Sequence, residues 1–204
     1  MMDHPAANPP SLQDARKAFI RAHICDAARD LFHRQGYAAT TFEQIAKAAG
    51  TRRTTLYSHF ADKADILEAI GTDYHVALAR IVDELPGPTP TRAEIDRWIA
   101  RLVEFVISER TPATLMIGLG VGHDAPPVVD RVSERFRDAL CTRLPAFARA
   151  YQPGPEHAPA RAWAKVILRE LSLGCLEAAR GDGEGEHVLA VVADLLERFI
   201  NDRT

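Results

Sequence analysis

Residues 41–63 read TFEQIAKAAGTRRTTLYSHFADK, and the spacing of three residues within them decides the architecture. Ala46, Gly50 and Leu56 stand four and six apart, the separation required when two helices meet through a tight turn. Ala46 is small enough for a second helix to approach, Gly50 takes the left-handed conformation that reverses the chain, and Leu56 faces back to seal the pair. The stretch therefore predicts a helix-turn-helix, with helices over 42–49, after a cap at Thr40 or Thr41, and over 52–59. Upstream, Ile20, Ile24, Ala28, Leu31 and Phe32 recur at helical spacing over 16–35 and Gly36 supplies a stop. Ile24, Phe32, Ile45 and Phe60 supply the small core of such a three-helix head.

Working outward, proline marks the breaks. After Pro5, Pro9 and Pro10 none occurs until Pro86, which leaves room for long helices. A fourth helix from near Asp62 carries Leu67, Ile70, Tyr74, Ala77 or Leu78, Ile81 and Leu85 along one side, and PGPTP at 86–90 ends it. Ile95, Trp98, Ile99, Leu102 and Phe105 repeat the period, as do Val129, Val132, Phe136 and Leu140, and segments 158–180 and 186–201 complete the pattern. The fold class is all-α with about nine helices. TLMIGLGVG at 114–122 leaves two readings: a buried strand entering a glycine-rich loop, or a short bent helix whose glycines allow close packing. It fails as a dinucleotide fingerprint, because His123 stands where glycine or alanine is needed.

The 204 residues carry 25 basic and 28 acidic side chains, a formal charge of −3, which taken whole discourages a nucleic-acid partner. Divided by region the picture reverses. From Arg16 to Lys63 there are nine Lys or Arg against four Asp or Glu, a balance of +5, and the remainder of the chain carries −8. With Leu56 and Phe60 assigned to the core, the third helix shows Thr51, Arg52, Arg53, Thr54, Thr55, Tyr57, Ser58 and His59, a set with no acidic side chain. Arginine bonds guanine O6 and N7 in pairs, and threonine methyls touch thymine. Arg52 and Arg53, at the N-terminal end of the recognition helix, are the expected sequence readers. Tyr57, His59 and Lys63 suit phosphate, and the amides near Thr40 and Thr41 offer further phosphate donors.

At these residues the chain resembles the TetR family of bacterial transcriptional regulators. The family pattern is visible in Ala27-Ala28 through Leu31-Phe32, Gly36-Tyr37, Thr40-Thr41, Ile45-Ala46, Ala49-Gly50, Thr55-Leu56-Tyr57, His59-Phe60 and Lys63, over about 45 residues. The resemblance implies a dimeric regulator, usually a repressor, whose larger helical C-terminal domain binds a small molecule and dimerises. It implies phosphate contacts at Thr40, Tyr57, His59 and Lys63 and base readers among Arg52 to Thr55. One departure concerns the start of the recognition helix. The serine cap usual after the turn glycine is replaced by Thr51-Arg52, so the helix starts at Thr51 or Arg52, with Thr51 as a substitute cap.

The expected organisation is a disordered tail over 1–15, a DNA-binding domain over 16–62 and an effector-binding, dimerising domain over 63–204. Helix 186–201 is apolar along two stripes, and the region of Trp163, Ile167, Leu171, Gly174 and Cys175 is similarly broad. With Leu189, Val192, Leu196 and Ile200 these residues form a candidate four-helix dimer interface, and the same breadth would suit a thick internal core. Trp98, Arg101, Leu102, Phe105, Met116, His123 and Phe136 are the candidate effector site. An apolar effector would release a near-palindromic operator from the homodimer, with helix 62–85 as the lever. An enzyme is not expected: GxSxG, HExxH and P-loop motifs are absent, and the histidines do not fall at metal-ligand spacing. No cofactor or metal is expected. Three widely separated cysteines read as small apolar residues. No apolar run approaches the roughly 18 residues of a membrane span, so a cytoplasmic protein is expected.

Overall fold

Ser11 opens the first helix. Its hydroxyl accepts the Asp14 amide at 3.1 Å, and α1 runs Leu12–Gln35. It therefore begins inside the segment expected to be disordered, because a serine cap with an acid in the first turn satisfies and charge-stabilises the otherwise orphan amides. Gly36, at φ 85°, stops it as expected. The computed structural model describes residues 11–120, 126–181 and 183–201; the expectations for residues 1–10 and for His123 lie outside the described residues.

The chain divides into two compact units, Met1–Ile66 and Leu67–Thr204. In the first, α2 (Phe42–Ala48) and α3 (Arg53–His59) follow α1. Ile24, Phe32, Ile45, Leu56 and Phe60 are all buried, and each such side chain removed from water contributes about 1.5–3 kcal/mol. Asp62 caps α4 (Lys63–Val82) by accepting the amides of Ala64 and Asp65 at 2.8 and 2.9 Å.

In the second unit come α5 (Arg92–Ser108), α6 (Arg110–Gly120), α7 (Pro127–Arg143), α8 (Pro145–Ala150), a 3₁₀ turn at Pro155–His157, α9 (Ala158–Ala178) and α10 (Gly183–Asn201). The described residues thus hold ten α-helices. The one beyond expectation is α8, six residues opened by Pro145 at its first position and pinned by buried Phe147. Trp98 on α5 donates its indole N–H to the Ile81 carbonyl at 2.8 Å. Phe199 of α10 meets Phe147 and Trp163 edge-on, with centroids 4.9 and 5.5 Å apart.

The segment 114–122 is helical as far as Gly120, so the strand alternative is set aside. Among the described residues Gly118 and Gly120 do not serve close packing: a Cβ on Gly118 would meet nothing within 4 Å, and one on Gly120 would make an ordinary 3.6 Å contact with Val129. Close approach occurs between α9 and α10. A Cβ on Gly174 would stand 2.9 Å from Leu189 Cδ2, and one on Gly185 would stand 2.5 Å from the Ala178 amide. These pairings run in opposite senses, so the two helices are antiparallel.

Candidate nucleic-acid interface and ligand cavity

The turn between α2 and α3 is closed by backbone geometry that places every residue after it. Gly50 (φ 58°) donates to Lys47 O at 3.1 Å and Thr51 donates to Ala46 O at 3.0 Å, the paired bonds of a Schellman ending. Thr51 is thereby committed to finishing α2 and does not cap α3. The N-cap is Arg52, which has no side-chain capping bond, and α3 starts at Arg53. Arg52, Arg53, Thr54 and Ser58 are exposed on α3 and its cap, Tyr57 is half exposed at 50%, and Thr55 and His59 are half-buried.

The two arginines differ in their surroundings. Arg53 pairs with Glu43 of α2, and its other terminal nitrogen lies 3.4 Å from the Tyr57 hydroxyl, with the guanidinium over that ring. Phe42 buttresses Tyr57 at 4.9 Å between centroids. Arg52 makes no ion pair among the described residues. An acidic side chain missing from α3 itself is thus supplied by its neighbour.

Thr40 and Lys63, expected at phosphate, are turned inward. Thr40 is 1% exposed; its hydroxyl donates to Gly36 O at 2.8 Å and accepts from Gln35 Nε2 at 3.1 Å. Lys63 Nζ donates to the carbonyls of Tyr37, Ala38 and Thr40 at 2.8, 3.1 and 3.0 Å and sits over the Tyr37 ring. A lysine ammonium has three hydrogens, and this one uses all of them to hold the turn before α2. The amides are engaged too: Thr40 N–H bonds Tyr37 O at 3.3 Å, and Thr41 N–H bonds Gln44 Oε1 at 2.8 Å. Thr41, exposed, caps α2 reciprocally with Gln44. That capping box is legible as Thr-x-x-Gln in the sequence.

At the other end of α3, Arg21 donates to the His59 carbonyl at 2.8 Å and lies 4.0 Å over the Phe60 ring. No pattern within residues 41–63 signals this brace from α1. Burial, followed by the charges of Lys17 and Arg21, holds His59 below the ordinary histidine value, and its Nδ1 is buried without a partner.

The second unit contains a cavity of about 260 Å³. Leu102, Met116 and Phe136 line it as expected. Trp98 and Arg101 do not: Trp98 is tied to Ile81, and Arg101 is exposed and paired with Glu84 and Glu104. Phe105 stacks behind Tyr74, 5.3 Å between centroids, and does not reach the lining. The unexpected lining includes Tyr74 and His75 of α4 and Leu168, Ser172 and Cys175 of α9, with Arg169 exposed at the rim. His75 Nδ1 lies 2.9 Å from Gly71 O. Burial, opposed by that carbonyl and assisted by the Arg135 charge, keeps His75 below its ordinary value. Burial likewise raises the Tyr74 hydroxyl, helped by Cys175 and Glu109, and pushes the Cys175 thiol up to about 12. All three are uncharged near neutrality.

The residues assigned to a dimer seam are mostly internal. Ile167, Leu171, Gly174, Cys175, Leu189, Val192, Leu196 and Ile200 are buried within the single chain, and Trp163 is half-buried against Phe199. The thick-core alternative accounts for them. What α9 and α10 leave open is a different face: Val166 is 53% and Val191 58% exposed, with Ala162, Leu173, Val188 and Leu195 on the same sides at helical spacing.

Residues 24–70 match the family model for bacterial regulatory proteins of the tetR family. The HTH-type transcriptional regulator AcrR of Shigella flexneri is 48% identical over 50 residues, 24% of this chain and 23% of that protein, so the chain spans about a quarter of this relative's length. AlkX of Mycobacterium tuberculosis, also an HTH-type transcriptional regulator, is 25% identical over 206 residues, covering 91% of this chain and 87% of that one. The crystal structure of a TetR-family regulator from Syntrophomonas wolfei shares the fold at a TM-score of 0.63 and 16% identity, over 92% of this chain and 97% of that one.

Proposed function

We propose, from the match of residues 24–70 to the tetR-family model and the likeness of the chain to AlkX, that this is a TetR-family DNA-binding transcriptional repressor. As a homodimer it occupies a near-palindromic operator and leaves it when a small molecule fills the cavity of the second unit. The observation that carries the DNA reading is the face of α3: Arg52, Arg53, Thr54 and Ser58 exposed together directly after a tightly closed turn. Arg52 is the principal base reader, since its guanidinium is not engaged by an acid. Arg53, Tyr57 and Glu43 form a set whose arginine trades a carboxylate for DNA on binding. Thr41, Tyr57 and His59 face phosphate. The dimer forms through the exposed face centred on Val166 and Val191, which is apolar and at a spacing two antiparallel helix pairs can bury. A ligand acts by favouring the dimer geometry in which the two recognition helices no longer match successive grooves; a coupling of about 1–3 kcal/mol changes operator affinity some 5–150-fold. The test is Arg52→Ala and Arg53→Ala in a mobility-shift assay with the dimer monitored in parallel. Salt-sensitive binding lost with the dimer intact supports the proposal. Unchanged binding sinks it, and a wild-type chain without salt-sensitive DNA binding points to a basic head serving a protein partner.

A further inference from the structure

Two polar side chains of the cavity lining, one on α4 and one on α9, present acceptors to it. His75 is 94% buried, and a carbonyl can only accept, so its contact with Gly71 O places the ring hydrogen on Nδ1. Nε2 of the uncharged ring then carries a lone pair. It has no partner among the described residues, and it is not one of the sealed, unpartnered atoms, so it opens on the space the ring lines. Ser172 repeats the arrangement on α9: its hydroxyl donates to Leu168 O at 2.8 Å, leaving oxygen lone pairs for whatever enters. Both side chains have given their hydrogens to the carbonyl four residues back along their own helix. Among the described residues no Asp or Glu lines the cavity, and the one cation is Arg169, exposed at its rim.

We propose that this cavity takes a neutral, mainly apolar molecule carrying a hydroxyl donor, received by His75 Nε2 or Ser172 Oγ. The assignment rests on the reading of the cavity as the effector site. Size follows from volume: a cavity of about 150 Å³ takes benzene, so 260 Å³ accommodates about ten non-hydrogen atoms. The rings of Tyr74 and Phe136 and the thioether of Met116 favour an aromatic body. A carboxylate is disfavoured, since at His75 Nε2 and Ser172 Oγ it presents acceptors to acceptors, and the hydroxyls of Tyr74 and Ser133 are neutral donors that do not offset the desolvation of a full charge.

Calorimetric titration of the full chain at neutral pH with 4-tert-butylphenol, tert-butylbenzene and 4-tert-butylbenzoate tests this. The phenol, un-ionised at that pH, binds most tightly, roughly five- to tenfold above the hydrocarbon, the worth of one net hydrogen bond. Either His75→Leu, which keeps the volume, or Ser172→Ala, the milder truncation, abolishes that preference, and its survival in both variants overturns the inference. Equal binding of phenol and hydrocarbon, tightest binding of the benzoate with dependence on Arg169, or no binding by any of them overturns the inference. A mobility shift with duplex DNA in the absence of ligand is run beside it. Loss of that shift removes the regulator reading, whereas a retained shift with no phenol preference removes only this assignment.

Discussion

Replacing Lys63 by methionine separates two roles for the same ammonium. The stem and its packing are kept while the bonds to the Tyr37, Ala38 and Thr40 carbonyls and the contact with the Tyr37 ring are lost. A hydrogen bond from a charged donor contributes about 1.5–3 kcal/mol, and the cation–ring contact about 0.5–1 kcal/mol more. The three bonds share one partly exposed group and are not additive, and the abandoned carbonyls regain water, so the expected loss is about 2–3 kcal/mol. With a urea slope of about 1–3 kcal/mol per molar, the midpoint falls by about 1–2 M. The assay is a urea melt followed by helical circular dichroism, paired with operator affinity measured across a salt series. A brace for the turn predicts the stability loss and, in the residual binding, an unchanged slope of log affinity against log salt. A phosphate contact predicts the opposite: stability retained and the slope flattened by about 0.9 for each subunit's lost contact. That second outcome would refute the inward assignment of Lys63.

Glu43→Ala removes an exposed partner of Arg53, so stability should move by less than about 1 kcal/mol while DNA affinity rises; a fall in affinity would show that the pair positions Arg53 for readout. Both His75 and His59 are held below the ordinary value in the folded chain, so the unfolded chain takes up protons first on acidification. Stability is therefore full above about pH 6.5 and declines as pH falls through that value toward the folded-state ones. His75→Leu should shallow the decline in urea midpoint between pH 7.5 and 5, and an identical decline in the variant would discard the cause. Gly185→Ala drives a Cβ onto the Ala178 backbone amide and should cost about 1–3 kcal/mol, whereas Gly118→Ala enters open space in α6 and should gain about 0.5–1 kcal/mol. Thermal melts that reverse this order would contradict the packing.

The head was legible because its decisive features are local. Ala46, Gly50 and Leu56 fix a turn whose bonds all lie within six residues, and periodicity correctly buries Ile24, Phe32, Ile45 and Phe60. Periodicity reports that a face is apolar but not what covers it, which is why Ile167, Leu189 and Leu196 suited a partner subunit when their cover is the chain itself. Val166 and Val191, left open on α9 and α10, lie beside the buried stripes, and periodicity did not tell the covered face from the open one. The inward bonds of Lys63 and Thr40 escaped for a related reason: most of their partners are backbone carbonyls, invisible to a reading of side-chain types. The cavity was found in part, since Leu102, Met116 and Phe136 fall on inward faces of their helices. His75 escaped because its value as an acceptor depends on the Gly71 carbonyl, a bond that only coordinates display.

The central claim is that two copies of α3, each led by Arg52, read DNA. Selection of bound duplexes from a randomised library by the full-length protein tests it most directly. The enriched sequence should be an inverted repeat with half-site centres about one helical turn, roughly 34–36 Å, apart, and Arg52→Ala should relax the preference within each half-site. Binding to it should weaken with salt at a log–log slope near −7, about four phosphates for each subunit. No enrichment, or an asymmetric site bound by a monomer with a slope near zero, would contradict the account.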